Sequence, residues 1–116
     1  MKFSKFTSAL VFVSVAASAS AEYTGPSSRR IATTAVSAGE AGDKTLVVLE
    51  GVLVSKLRDE HYMFQDSTGT IEVEIDHKHL PAAPIKETTR VRLSGEVDKD
   101  FGQKPSIDVK QVLILQ

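Results

Sequence analysis

The sequence has no cysteine and no tryptophan, and its aromatic residues amount to only 6% of 116 positions. Without cysteine there is no disulfide, no thiolate metal site and no thiol nucleophile, so the fold must rest on packing alone. Few aromatics remove most of the stacking platforms on which single-stranded nucleic acid is held. No apolar run approaches the roughly 20 residues needed to span a bilayer as a helix. The clearest run covers residues 9–17, follows Lys2 and Lys5, and ends at Ala19-Ser20-Ala21. That order predicts a secretory signal peptide over residues 1–21, cut after Ala21, with no stable membrane insertion of the released chain. Loss of Lys2 and Lys5 from 14 basic residues, against 15 acidic ones, takes the formal charge from −1 to −3. The exported chain is mildly acidic and long enough for one modest core.

What is present is alternation. In residues 62–76, Tyr62 and Phe64 alternate with Met63 and Gln65, Asp66-Ser67-Thr68-Gly69 carries turn chemistry, and Ile71, Val73 and Ile75 alternate with Glu72, Glu74 and Asp76. This predicts a β-hairpin in which Phe64 faces Ile71 and Tyr62 faces Val73 on the buried side. Met63, Gln65, Glu72 and Glu74 then share the other face.

Around the hairpin the chain divides simply. Residues 22–30 hold Gly25-Pro26-Ser27-Ser28 and predict an irregular arm, and the Ala-rich residues 31–41 predict a short helix that Gly39 and Gly42 end early. Residues 45–57 form a long apolar strand bent at Gly51. Residues 77–88 contain Pro81 and Pro84 and read as a connection with at most one helical turn. Residues 90–97 alternate again, with Gly95 as a second bend. In residues 105–115 the apolar phase changes between Val109 and Val112, which predicts a bulge near Gln111. Five short strands, the first long and bent, predict an all-β fold: a five-stranded Greek-key OB-fold barrel over residues 44–116, preceded by an arm and short helix over residues 22–43. A two-layer sandwich is the competing architecture.

The ordered set Tyr23-Thr24-Gly25-Pro26, Val48-Leu49-Glu50-Gly51, Tyr62-Met63-Phe64-Gln65-Asp66-Ser67-Thr68-Gly69, Ile71-Glu72-Val73-Glu74-Ile75-Asp76 and Gly95-Glu96-Val97-Asp98-Lys99-Asp100 resembles the bacterial OB-fold (BOF) family, periplasmic stress-tolerance proteins of the YgiW/YdeI type. The resemblance implies a periplasmic OB-fold protein, linked to envelope or oxidative stress, with no established catalysis. It also implies binding of an envelope component, either a small molecule such as a cell-wall sugar or a protein.

OB barrels usually present ligands with the exposed face of strands two and three and the loops that flank it. Here that face selects His61, Met63, Gln65, Glu72 and Glu74, with Asp98, Asp100 and Phe101 from one flanking loop and Arg58 and Asp59 from the other. Its carboxylates suit a cationic molecule, and carboxylates with Gln65 also suit sugar hydroxyls. An adaptor role toward a membrane or lipid-modifying protein partner uses the same face. Phosphate would be repelled, so nucleic acid is not an expected partner. His77 and His79 form a minor transition-metal alternative with Asp76. Asp98-Lys99-Asp100-Phe101-Gly102 begins like a calcium loop, but Gln103 and Val109 stand where an EF-hand needs glycine and glutamate. No catalytic constellation and no cofactor motif is found, so neither turnover nor a cofactor is expected.

Overall fold

The computed structural model describes residues 30–115, so the leader and the arm up to residue 29 lie outside the described residues. Eight elements follow one another: β1 (Ile31–Ala32), α1 (Ala35–Glu40), β2 (Leu46–Arg58), β3 (His61–Asp66), β4 (Gly69–Ile75), a 3₁₀ turn (His77–His79), β5 (Val91–Asp98) and β6 (Ser106–Ile114). The sheet runs β1-β2-β3-β4-β6-β5, and β5 pairs back onto β2. Strands β2 to β6 therefore close into a five-stranded barrel, the architecture that the alternation predicts.

Closure depends on the bend in β2. Its first half, Leu46 to Gly51, pairs with β5, whereas Val52 to Arg58 pairs with β3. Gly51 sits where the strand changes partners: a Cβ there would lie 2.2 Å from the Gln65 backbone oxygen and 2.8 Å from the Phe64 ring. The backbone of β3 can pass this closely only because the side chain is missing. Gly95 has the same role on the other side, where a Cβ would meet the Asp108 carbonyl oxygen at 2.1 Å. Opposite Gly95 the register between β5 and β6 slips, leaving Lys110 unpaired between Val109 and Gln111. This is the expected bulge.

The hairpin register is the predicted one, with Phe64 opposite Ile71 and Tyr62 opposite Val73. Phe64, Val73 and Ile75 are fully buried with Leu49, Leu93 and Ile107, and Tyr62 packs partly against them. Among the described residues no polar or charged residue is buried as a whole. The barrel interior is therefore apolar, and the paired carboxylates of the hairpin lie outside it.

The helix differs from expectation. Residues 31 and 32 are extended and pair in parallel with Leu46 and Val47, and α1 starts only at Ala35. The reason is local: the Thr34 hydroxyl accepts from the Ser37 N–H, and the Ser37 hydroxyl accepts from the Thr34 N–H, a reciprocal cap that fixes the start. Ala35 and Ala38 join the barrel core, so the helix plugs the barrel instead of belonging to a separate arm. Arg58 and Asp98, expected in loops, form the last residues of β2 and β5.

Candidate functional site

The outward residues of four strands line up in two rows because β4 and β6 pair in parallel. Glu74 lies beside Asp108 and Asp108 beside Glu96, while His61 faces Glu74 from β3. In the next row Glu72 lies beside Ser106 and Ser106 beside Asp98, while Met63 faces Glu72. Alternation places Ile107, Val109 and Val73 inside and these polar residues outside. Five carboxylates thus share one continuous face of β4, β6 and β5.

Within this face a cleft of about 290 Å³ opens among Arg58, His61, Glu72, Glu74, Asp98 and Asp100, closed at one side by Gln103, Lys104 and Ser106. Glu72 is its hub. One oxygen, Oε2, accepts from Arg58 Nη2 at 2.8 Å and lies 2.8 Å from His61 Nδ1. The other ring nitrogen of His61 is 3.9 Å from Glu74 Oε2. The Arg58 guanidinium therefore compensates Glu72 and the His61 ring hydrogen-bonds it, while Glu74, Asp98 and Asp100 have no Lys or Arg ion partner among the described residues. The outlying carboxylates are compensated: Glu96 by Lys44 at 3.6 Å and Asp108 by Lys110 at 3.0 Å. Hydrogen bonding to Asp108, with its attraction added, holds the Lys110 ammonium above its ordinary pKa. Negative charge is concentrated where the cleft is.

Of the residues singled out in the sequence, His61, Glu72, Glu74, Asp98 and Asp100 come together in this cleft. Met63 lies beside it, in a neighbouring depression with Thr70, Glu72 and Lys104. Gln65 belongs to a different cleft, with Thr33, Glu50 and Arg90, because barrel twist turns the two ends of β3 in different directions. Phe101 projects fully into solvent at the tip of the β5–β6 loop. That loop is tied back by the Lys99 N–H, which donates to the Asp43 carboxylate at 2.9 Å. Gln103, Lys104, Ser106, Glu96 and Asp108 were not selected in the sequence. Only the parallel pairing of β4 with β6, a long-range event, brings them here.

His77 and His79 do not converge. His77 Nε2 is 3.2 Å from Asp59 and its Nδ1 is 4.0 Å from Glu60, whereas His79 Nδ1 is buried with no hydrogen-bond partner. Among the described residues no three His, Cys, Asp or Glu side chains are grouped to hold a metal ion. Nor is any helix among them long and apolar enough to cross a membrane.

The model of the bacterial OB fold (BOF) protein family matches residues 13–114. The chain is 43% identical to the calcium-regulated OB-fold protein CarO of Pseudomonas aeruginosa over 96 residues, 83% of this chain and 82% of CarO. It is 42% identical to Escherichia coli YgiW over 80 residues, 69% of this chain and 61% of YgiW. The solved structure of E. coli YgiW superposes with a TM-score of 0.68 over 82% of this chain and 99% of that one, at 38% identity. The telomere capping protein Ten1 of Schizosaccharomyces pombe shares the fold alone, at 14% identity and a TM-score of 0.56, over 75% of this chain and 81% of that one.

Proposed function

This chain belongs to the bacterial OB fold (BOF) family, and we propose that it works in the periplasm, without turnover, as a binding protein for a cationic envelope ligand under envelope or oxidative stress. The observation that carries this reading is the convergence of Glu74, Asp98 and Asp100, none with a Lys or Arg ion partner among the described residues, on the cleft organised by Glu72. Carboxylates on a polar, open surface attract and orient cations, and they speed encounter through long-range steering. The calcium regulation in the name of CarO supports a role tied to ionic conditions.

The cleft chemistry supports binding over catalysis. His61 is held by carboxylates, with Nδ1 2.8 Å from Glu72 and Nε2 3.9 Å from Glu74, and among the described residues no serine or threonine hydroxyl is hydrogen-bonded to either ring nitrogen as a nucleophile would be. Phosphate is disfavoured by the same carboxylates. Nucleic acid is therefore not the proposed ligand, although the fold is shared with a telomere protein.

A second reading, an adaptor for a protein with a basic patch, is favoured by one feature: the carboxylate rows continue past the cleft to Glu96 and Asp108. Neutral cell-wall sugars are a third class, for which Gln103 and Ser106 supply hydrogen-bonding groups. Amide shifts of the purified protein, recorded during titration with pentalysine and with a neutral muropeptide, distinguish these readings. The proposal expects saturable shifts at His61, Glu74, Asp98 and Asp100 with pentalysine. Shifts confined to the sugar titration would sink it.

A further inference from the structure

A second concavity lies away from the acidic cleft, and its chemistry is opposite. β5 accompanies β2 only as far as Gly51, which pairs with Val91. Beyond it, the far side of β2 has no strand partner among the described residues, and residues 80–87 run alongside. Between them is a groove of about 640 Å³ walled by Leu53, Val54 and Tyr62 from the barrel and Leu80, Pro81 and Ile85 from the connection. Tyr62, Leu80 and Ile85 pack against the core, so the floor is continuous with the hydrophobic interior. Val54 is 37% exposed at its edge. The volume falls in the range of about 300–1,000 Å³ typical of small-molecule sites.

The rim identifies the occupant. Lys56 and Lys86 both line the groove, against a single acid, Glu87. Lys86 has no ion pair among the described residues, and the one that Lys56 makes with Asp59 is stretched to 4.0 Å. An added peptide strand is a poor occupant, because the register of β2 slips twice along this stretch, between Leu53 and Ser55 and again between Lys56 and Arg58. Such bulges spoil the even spacing of backbone donors and acceptors that strand addition needs. An apolar trough with a cationic rim and an irregular backbone edge suits a single alkyl chain bearing a negative head.

We propose that this groove binds a monomeric single-chain carboxylate amphiphile, with the chain along Leu53, Val54 and Ile85 and the carboxylate at Lys86. The proposal is independent of the acidic cleft. Its test is displacement of 11-(dansylamino)undecanoic acid from the purified protein by octanoate, decanoate and dodecanoate below their micellar concentrations. Affinity is expected to rise steeply along the series, by up to about fourfold per buried methylene. Decanoate should bind more tightly than decanol, and Lys86→Glu should remove that advantage, a change of about two- to fivefold for an exposed ion pair, while leaving decanol unaffected. Val54→Glu, at an exposed position, should abolish binding of both. The proposal is overturned by affinity independent of chain length, by equal decanoate binding by the parent and Lys86→Glu proteins, or by retention on phosphatidylglycerol vesicles with no monomer displacement. Concentration-dependent association that protects the groove in the absence of amphiphile would assign it to a second copy of the chain and would also overturn it.

Discussion

Asp66, at the tip of the β3–β4 hairpin, accepts a 2.8 Å hydrogen bond from the backbone N–H of Ala35, the first residue of α1 and 31 positions earlier in the chain. Beside it the Thr68 hydroxyl accepts from the Val36 N–H at 3.2 Å. The first free donors of the helix are thus satisfied by a distant turn as well as by Thr34. Burial pushes the Asp66 carboxyl up, but hydrogen bonds from the Thr68 hydroxyl and from the Ala35, Thr68 and Gly69 N–H groups outweigh it and hold the pKa below 3.8.

Replacing Asp66 by alanine is expected to destabilise the protein by about 1–2 kcal/mol, the size of a lost helix cap. The corresponding fall in melting temperature is about 4–8 °C per kcal/mol for a domain of this size. Because the folded pKa is lowered, the carboxylate contributes fully above the ordinary value of 3.8, and the contribution is lost as pH falls through the folded value. Thermal melts of parent and Asp66→Ala proteins should differ at pH 7 and draw together in strong acid.

Two glycines should respond in opposite ways to alanine. At Gly51 the new methyl would overlap the Gln65 backbone oxygen, so Gly51→Ala is expected to cost about 3 kcal/mol or more, at or above the upper end of ordinary overpacking, because backbone and not a side chain must move. At Gly39, inside α1, nothing lies within 4 Å of the added methyl. Gly39→Ala should therefore stabilise by about 0.5–1 kcal/mol through helix propensity. Chemical denaturation of the two variants measures both.

Arg58 now neutralises the hub of the cleft, with its guanidinium 2.8 Å from Glu72. If the cleft takes cations, Arg58→Ala should strengthen binding of pentalysine by about two- to fivefold, the scale of an exposed ion pair, with little change in folding stability. Titration calorimetry at low ionic strength is the appropriate measurement. Weaker binding in the variant would mean that Arg58 itself contacts the ligand.

Much of the barrel could be read from local pattern. The hairpin register follows from matching Tyr62 and Phe64 to Val73 and Ile71, the bend follows from Gly51, and the bulge follows from the phase change after Val109. These features are encoded within one strand or between strands joined by a short turn. The start of α1 was harder, because the β-branched Ile31, Thr33 and Thr34 that favour extended backbone adjoin an Ala-rich stretch, and only the Thr34 and Ser37 side chains mark the cap between them. The site was half legible for the same reason. His61, Glu72 and Glu74 share a hairpin, whereas Ser106 and Asp108 reach them through a parallel pairing across some thirty residues that no local alternation reports. The groove beside β2 was not visible at all, since it arises from where β5 stops.

The most direct test of the central claim is the affinity of the parent protein and of a Glu74→Lys/Asp98→Lys double variant for pentalysine, followed from low to physiological salt. Both positions are outward-facing, so the variant is expected to stay folded, which circular dichroism verifies. The account predicts parent binding that weakens steadily as salt screens the cleft and a variant that binds at least tenfold less tightly at low salt. Equal affinity in the two proteins, or binding indifferent to salt, would contradict it.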